Sequence, residues 1–201
     1  MRSGATALAA CMLSWGCATA GPRPQGGSSA AEVNRGSLPQ TVTGVEGMEK
    51  GLFRDGRVFV GGQPAKESLQ ELAKLGVVAV VNLRTPHEMA DKAQVPFDEA
   101  AEAARLGMEY VAIPVNGTDY PYAPAVVENL AHALARIPGP VLLHCRTGVR
   151  ASYLWTAYLV RNGGLDLDAA LARGRAMAIP PDPLGQLLGT PLKLVPGGTA
   201  P

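Results

Sequence analysis

The feature that most constrains this chain is a regular alternation between short apolar runs and segments with helical spacing. The run Val77–Leu83 (VVAVVNL) is almost entirely β-branched or apolar, which is typical of a strand buried on both faces of a sheet. Strands are predicted at Arg57–Gly61, Val77–Leu83, Tyr110–Val115 and Pro140–His144, and helices at Pro64–Leu75, Phe97–Leu106, Pro124–Ile137, Ser152–Asn162 and Leu167–Ala178. Strands that alternate with helices predict an α/β fold, with a mostly parallel central sheet flanked by helices.

The two ends of the chain differ in composition from this middle. Residues 21–46 are rich in Gly, Pro, Ser and small polar residues and lack apolar periodicity, so they predict a flexible linker. Residues 190–201, which end in PGGTAP, predict a disordered tail. The folded unit is therefore expected at residues 47–189, a length typical of a single domain with one core.

Residues 1–20 predict an export signal, because Arg2 precedes a largely apolar run. The sequence ATA at 18–20 fits a cleavage site for a freely secreted chain. The sequence LSWGC, which ends at Cys17, resembles a bacterial lipoprotein start, and we favour this interpretation. It predicts a protein of the bacterial cell envelope, whose membrane contact is a lipid on Cys17. A start codon placed too early would instead leave a cytosolic protein.

Composition excludes several classes of function. Lys and Arg total 18 and Asp and Glu total 17, so the formal net charge of +1 gives no reason to expect a nucleic-acid partner. Three cysteines, two of them in the first seventeen residues, cannot build a disulfide scaffold. Three dispersed histidines argue against a histidine-built metal site. No run after residue 20 is long and apolar enough to span a bilayer.

The main candidate site begins at Cys145, directly after the last predicted strand. Ligands of open α/β sheets bind at the carboxyl ends of strands. Backbone N–H groups in a tight turn at a helix N-terminus bind anions, and the same field stabilises a thiolate nucleophile. Arg150 closes the turn and offers a two-pronged donor for an oxyanion. The predicted anion-binding residues of the loop are Arg146, Thr147, Gly148 and Val149.

Two further residues are expected near this loop. Arg84 follows the strand Val77–Leu83 and should reach the same rim of the sheet, where it would assist anion binding. His144 precedes the nucleophile and is expected to support the loop rather than to act as a base. The alternative for Cys145 itself is a buried core cysteine, the commonest fate of a lone thiol. Two flanking arginines and the turn into a helix favour the functional interpretation.

Together these segments resemble a known family. The sequence His144-Cys145-x-x-Gly148, followed by arginine, is similar to the cysteine-dependent phosphatases with the tyrosine-phosphatase fold. The upstream segments FRDGRVFVGGQP (53–64), Gly76-Val77 and VVNLR (80–84) resemble the bacterial phosphatase-like domain found beside β-lactamase-hydrolase-like proteins. The resemblance covers residues 50–165.

The resemblance implies a mechanism without metal or cofactor. The Cys145 thiolate would attack the phosphorus of a phosphomonoester, and Arg150 and the loop N–H groups would stabilise the equatorial oxygens. Phosphatases of this fold carry a general acid in a loop comparable to the one that contains Asp119, which would protonate the leaving oxygen. The alternative for Asp119 is a solvated turn residue.

The loop departs from the family pattern in one respect. Four residues separate Cys145 from Arg150 where the phosphatases have five, and position 151 is alanine. A loop of this length also resembles that of rhodanese-type sulfurtransferases, in which Cys145 would carry a persulfide and the substrate would be a sulfane-sulfur donor. A third possibility is a non-catalytic domain that binds anions or a partner.

Overall fold

The computed structural model describes residues 37–177 and 183–191. The predicted export signal, residues 21–36 of the predicted linker and residues 192–201 of the predicted tail lie outside the described residues. The strands are β1 (Gln40–Thr41), β2 (Leu52–Asp55), β3 (Val58–Gly61), β4 (Ala79–Asn82), β5 (Glu109–Ala112) and β6 (Val141–His144). The helices are α1 (Lys66–Lys74), α2 (Pro86–Ala90), α3 (Glu99–Arg105), α4 (Pro124–Arg136), α5 (Val149–Arg161), α6 (Leu167–Ala176) and α7 (Leu184–Leu188).

The six strands form one sheet in the order β1-β2-β3-β6-β4-β5. The strands β3, β6, β4 and β5 run parallel, whereas β1 and β2 are joined to the sheet by antiparallel pairing. The predicted α/β fold with a mostly parallel sheet is therefore confirmed. Every predicted strand and helix is present, with ends that differ by a few residues.

The N-terminal edge of the sheet was not expected. The predicted linker was to extend through residue 46, but β1 lies within it and pairs with β2. The N–H of Val42 donates to the carbonyl of Leu52 at 2.9 Å, and Val42 and Val45 pack against the core. The linker prediction is therefore wrong for this stretch, because the polar residues Gln40 and Thr41 pair with a partner strand that their own composition does not reveal.

Helices cover both faces of the sheet, and each face has its own apolar cluster. Successive strand residues point to opposite faces, so Val141 and Leu143 join the cluster under α4, α5 and α7, whereas Leu142 joins the cluster under α1 and α3. All four residues of β6 are buried, as expected for the central parallel strand. In the described residues, no helix is both long and apolar enough to cross a membrane.

The parallel strands bring their carboxyl ends to one rim. His144 at the end of β6 pairs in register with Gly61 on one side and with Asn82 on the other. The residue after β3, Gly62, lies between the backbone of Glu49 and that of Arg146. A side chain does not fit there, because a Cβ atom would lie 2.0 Å from the carbonyl oxygen of Glu49. This rim carries the loop that follows Cys145.

Candidate active site

Cys145 lies at the base of a loop that two backbone contacts hold in place. Its N–H donates to the carbonyl of Gly61 at 3.4 Å, and the N–H of Gln63 donates to the carbonyl of Arg146 at 2.9 Å. Gly148 ends the loop with a φ of 86°, a left-handed conformation that favours glycine. Cys145 is 1% exposed, so the thiol is shielded from bulk water.

The first turn of α5 faces the loop. Gly148 is the N-cap and provides no side chain, and its carbonyl accepts from the N–H of Ser152 at 2.9 Å. The N–H groups at the start of a helix have no partner within the helix. They add a partial positive charge beside Cys145, which favours an anion there. Anion binding by the loop stays a prediction, and the position of the loop at the N-terminus of α5 is consistent with it.

Arg150 points away from the loop, over the ends of β4 and β5. Its Nη1 donates to the carbonyl of Val115 at 2.8 Å and lies 3.4 Å from the carbonyl of Leu83. Its Nη1 and Nη2 also donate to the two carboxylate oxygens of Glu88, at 2.9 and 2.6 Å. Two parallel bonds of this kind fix the plane of the guanidinium group. In the described residues, its Nε–H and one Nη2–H have no such partner.

The pair perturbs the pKa values of both groups. Burial raises the pKa of Glu88, but hydrogen bonds from Arg150 and from the Thr85 N–H, together with the charge of Arg84, lower it to about 2. Burial lowers the pKa of Arg150, but Glu88 and the nearby Cys145 outweigh this effect and raise it. Glu88 is therefore an anion and Arg150 a cation at neutral pH.

A cavity of about 810 Å³ opens beside Arg150, and Asp119 lines it. The structure thus brings together two of the three predicted catalytic residues, while Cys145 does not itself line the cavity. Asp119 is exposed on a loop that is fastened by Asn116, whose side-chain oxygen accepts N–H bonds from Thr118 and Tyr120 at 2.9 and 3.1 Å.

Tyr122 lines the same cavity. Burial raises the pKa of its hydroxyl, Arg150 lowers it, and Cys145 and Glu88 raise it further, with a net increase. Tyr122 shares the cavity wall with Arg150 and packs against the apolar cluster that contains Cys145. A phenol with a raised pKa remains protonated at neutral pH, so Tyr122 presents a hydrogen-bond donor to the cavity.

His144 lies behind the nucleophile in a closed polar network. Its Nε2 is 3.0 Å from Glu99 Oε1, and both side chains are fully buried. The hydroxyl of Tyr110 donates to the same oxygen at 3.0 Å, and the side-chain amide of Gln63 donates to Glu99 Oε2. Asn82 Nδ2 donates to the Tyr110 hydroxyl at 2.8 Å. The predicted support role of His144 stays a prediction, and the network provides its structural basis.

Arg84 is buried away from the loop. Its Nη1 donates to Gln63 Oε1 at 2.7 Å and its Nη2 to Gln94 Oε1 at 3.1 Å, while its Nε is buried without a hydrogen-bond partner and lies 3.7 Å from Glu88. These contacts tie the end of β4 to its neighbours. The structure gives Arg84 a supporting position behind Glu88 rather than one on the cavity surface, where anion binding would require it.

The remaining predicted loop residues differ in exposure. Arg146 and Val149 are exposed, whereas Thr147 is half-buried and forms a backbone bridge with Gly62. Arg146 therefore provides a solvated positive charge at the mouth of the site. In the part of the chain that the structure describes, no group of His, Cys, Asp and Glu residues is arranged to hold a metal ion.

Three residues of the candidate site, Glu88, Glu99 and Tyr122, were not predicted from the sequence to lie in it. Thr85-Pro86-x-Glu88 is a capping-box pattern, and its reciprocal bonds of 2.9 and 3.2 Å start α2. That signal predicts a helix start but not the contact of Glu88 with Arg150. Glu99 stands in the first turn of α3, where an acidic residue is ordinary. No sequence pattern indicates the position of Tyr122.

A family model agrees with this geometry. The model for the beta-lactamase hydrolase-like protein, phosphatase-like domain, matches residues 55–160, which is just over half of the chain. The match begins at the end of β2 and includes the loop that follows Cys145 and nearly all of α5.

Two curated relatives and one solved structure have related descriptions. A beta-lactamase hydrolase-like protein of Xylella fastidiosa is 32% identical over 122 residues, which are 60% of this chain and 27% of that protein. The phosphatidylglycerophosphate phosphatase PTPMT2 of Arabidopsis thaliana is 27% identical over 129 residues, or 61% of this chain and 53% of that protein. The crystal structure of Tk-PTP in its active form is 26% identical, with a TM-score of 0.52, and covers 66% of this chain and 85% of its own. The chain therefore matches only part of each curated relative's length.

Proposed function

We propose that this chain, which belongs to the family of phosphatase-like domains of beta-lactamase hydrolase-like proteins, is a phosphatase that uses Cys145 as its nucleophile. The observation that carries the proposal is the position of Cys145 at the end of the central strand, in front of the uncapped N-terminus of α5. That position stabilises both a thiolate and the oxyanion that it attacks.

The first chemical step transfers the phosphoryl group to sulfur. The Cys145 thiolate forms an S–P bond while the ester P–O bond breaks, and the electron pair leaves on the substrate oxygen. Asp119 donates its proton to that oxygen. Glu88, the other carboxyl group of the cavity, has a pKa of about 2 and therefore carries no proton to donate at neutral pH.

The second step regenerates the thiol. Asp119, now a carboxylate, accepts a proton from water, whose oxygen attacks phosphorus as the S–P bond breaks. Inorganic phosphate leaves and the Cys145 thiolate is restored. The same carboxyl group thus acts first as an acid and then as a base, which requires its place on the cavity wall within reach of the substrate oxygen.

Arg150 retains the donors that this chemistry needs despite its bond to Glu88. Glu88 occupies the edge of the guanidinium group formed by Nη1 and Nη2. The adjacent edge, formed by Nε and the second Nη2 hydrogen, can donate two bonds to phosphate oxygens. Glu88 then holds the guanidinium in position for the substrate. The proposed substrate is a phosphomonoester, and the similarity to a phosphatase of Arabidopsis thaliana, named for phosphatidylglycerophosphate, supports a phosphorylated substrate.

A turnover assay with an activated aryl phosphate tests the proposal. Wild type should hydrolyse the ester and Cys145→Ser should lose about 10³-fold or more in kcat. Cys17→Ser is the matched control, because it replaces a cysteine outside residues 47–189 and should retain full activity. Equal turnover by Cys145→Ser and wild type would contradict the mechanism. Failure of turnover, with one sulfur atom added to Cys145 after incubation with thiosulfate, would instead favour the sulfurtransferase.

We also propose that the domain is held in the bacterial cell envelope by a lipid on Cys17, which lies outside the described residues. The support is the apolar N-terminal run that ends in LSWGC. Metabolic labelling with a fatty acid should mark wild type and not Cys17→Ser. A cytosolic product that retains Met1 would exclude both the lipoprotein and the secreted form.

A further inference from the structure

Behind Cys145, the carboxylate of Glu99 is fully buried in the protein interior. Glu99 and His144 have fully buried side chains, and Glu99 accepts bonds from His144, Gln63 and Tyr110. Burial raises the pKa of Glu99, but the charge and hydrogen bonds of His144 and the bonds from Gln63 and Tyr110 lower it overall. Glu99 is therefore ionised inside the protein, where an unpaired charge would be very unfavourable.

Only one of its three donors can balance that charge. The amide of Gln63 and the hydroxyl of Tyr110 are neutral donors, whereas the imidazole of His144 can become a cation. An ionised carboxylate has no hydrogen, so the hydrogen between Glu99 and His144 belongs to Nε2. Which imidazole nitrogen carries the hydrogen is set by such a partner.

The other ring nitrogen of His144 contacts the backbone of Cys145, the proposed nucleophile. Nδ1 of His144 lies 3.4 Å from the carbonyl oxygen of Cys145. In the imidazolium form this nitrogen also carries a hydrogen and points it toward that carbonyl. The Glu99–His144 pair then forms a buried dipole with its positive end toward Cys145 and its negative end away from it, and such a field stabilises a thiolate.

We propose that Glu99 is a positioning residue for the Cys145 nucleophile, which acts by fixing the imidazole of His144 with its hydrogen on Nε2. The catalytic benefit of this positioning rests on the proposed function. The positioning itself can be tested separately, because the reactivity of the thiol can be measured without any phosphatase substrate. The network also explains why a carboxylate is buried at a point where an apolar side chain would cost less to bury.

Among the described residues, Glu99 has hydrogen bonds with His144, Gln63 and Tyr110 and none with Arg150 or Glu88 at the front of Cys145, so we expect the contribution of the front groups to be unchanged when Glu99 is replaced. Other titratable or charged groups surround Glu99, His144 and Cys145. They are Tyr110, Arg84, Arg146, Arg150, Glu88 and Tyr122. Arg84 reaches Glu99 only through Gln63, and Glu88 is neutralised by Arg150. Gln63 and Arg84 also connect Glu99 with Glu88, so the His144→Gln background is the measurement that shows whether the effect of Glu99 passes through His144.

The experiment measures the rate of iodoacetamide alkylation at Cys145 against pH in the full chain. Glu99→Gln, which keeps the shape and removes the charge, should move the midpoint of the profile upward by about one pH unit. In a His144→Gln background, the same substitution should add no further shift. An unchanged midpoint in Glu99→Gln, or an equal shift in the His144→Gln background, would overturn the proposal.

A matched control separates positioning from stability. Asp55 is a second buried acid, which accepts from Trp155 Nε1 at 2.9 Å and pairs with Arg173 rather than with His144. Asp55→Asn should lower the thermal midpoint without moving the alkylation profile. A shift of the profile in Asp55→Asn as large as that in Glu99→Gln would show that the Glu99 effect is merely structural.

A measurement on the unaltered protein covers the case in which Glu99→Gln fails to fold. Imidazole ¹⁵N chemical shifts of His144 in wild type report which nitrogen carries a hydrogen. The proposal requires a hydrogen on Nε2 throughout the pH range in which the protein is folded. A neutral imidazole with its hydrogen on Nδ1 would overturn the proposal.

Discussion

Two pairs of a carboxylate and a basic side chain flank Cys145, and they differ in their access to water. Behind the thiol, the side chains of Glu99 and His144 are 0% exposed. In front, Glu88 and Arg150 retain 26% and 15% exposure and border the large cavity. The rear pair is closed by the sheet and by α3, whereas the front pair lies between a five-residue helix and the start of α5.

The difference shows how the molecule separates support from binding. A fully buried pair is held by many fixed hydrogen bonds and cannot exchange partners with a ligand. A pair that borders the cavity can hold the guanidinium in place through one edge and leave the other edge free to bind a substrate oxygen. The rear pair is therefore expected to govern stability and the state of the thiol, and the front pair to govern substrate affinity and turnover.

Removal of one partner from each pair should show the largest difference between the two pairs, measured as the loss of unfolding free energy. Glu99→Ala leaves His144 buried without its carboxylate and should cost about 3–5 kcal/mol of unfolding free energy. Glu88→Ala acts on a pair that water partly reaches, so screening reduces the loss, which should be smaller, about 1–2 kcal/mol. Urea unfolding of both variants measures the two losses. Equal losses would show that the pairs do not differ in the way described.

Arg150→Ala should have the opposite balance of effects. The cation that faces the cavity is lost, so kcat/KM for an aryl phosphate should fall by about 10²–10³-fold. The thermal midpoint should change little, because the pair is partly solvated. Arg161→Ala is the matched control. Arg161 lies on α5, as Arg150 does, and forms an exposed ion pair with Glu128 of α4. A comparable loss of activity in the control would remove the special role of Arg150.

Asp119→Asn tests the acid at the front of the site. With a poor leaving group, kcat should fall by about 10²-fold, because proton transfer to the leaving oxygen is lost. With an activated leaving group, which needs little protonation, the loss should be much smaller. Tyr122→Phe provides the comparison, because it removes a hydroxyl donor of the cavity wall. If Tyr122→Phe alone shows this dependence on the leaving group, then Tyr122 is the acid.

The smallest expected effect is the decrease of thermal stability at acidic pH. The pKa of Glu88 is about 2 in the folded protein against an ordinary value of 4.5, so its interactions contribute fully above about pH 4.5 and are lost as pH falls toward 2. The thermal midpoint of wild type should decrease across this window. Glu88→Gln should make the decrease shallower. A midpoint that is constant with pH in wild type would contradict the lowered pKa.

The parts of the fold that follow from local pattern could be predicted from the sequence. The run Val77–Leu83 indicates a buried strand, and Pro124–Ile137 shows a helical apolar face, because each segment records its own environment. The two-residue strand β1 has too few residues to show a period. Strand β2 buries the charged side chain of Asp55. The local sequence does not predict this burial, because the partners of Asp55, Trp155 and Arg173, come from helices that are distant in sequence.

The same distinction applies to the site. The loop from Cys145 to Arg150 is contiguous in sequence, so its residue types and the turn into α5 are enough to indicate an anion-handling thiol. Glu88 meets Arg150 across 62 residues and Glu99 meets His144 across 45. Contacts of such separation depend on the strand order β6-β4-β5, which the local pattern does not specify.

The most direct test of the central claim is to trap the covalent intermediate. Wild-type protein is quenched in acid during turnover of an activated aryl phosphate, and its peptides are analysed by mass spectrometry. The account predicts one phosphoryl group on the peptide that contains Cys145 and none in Cys145→Ser. Steady turnover without that adduct, and without loss of activity in Cys145→Ser, would contradict the claim that Cys145 is the nucleophile.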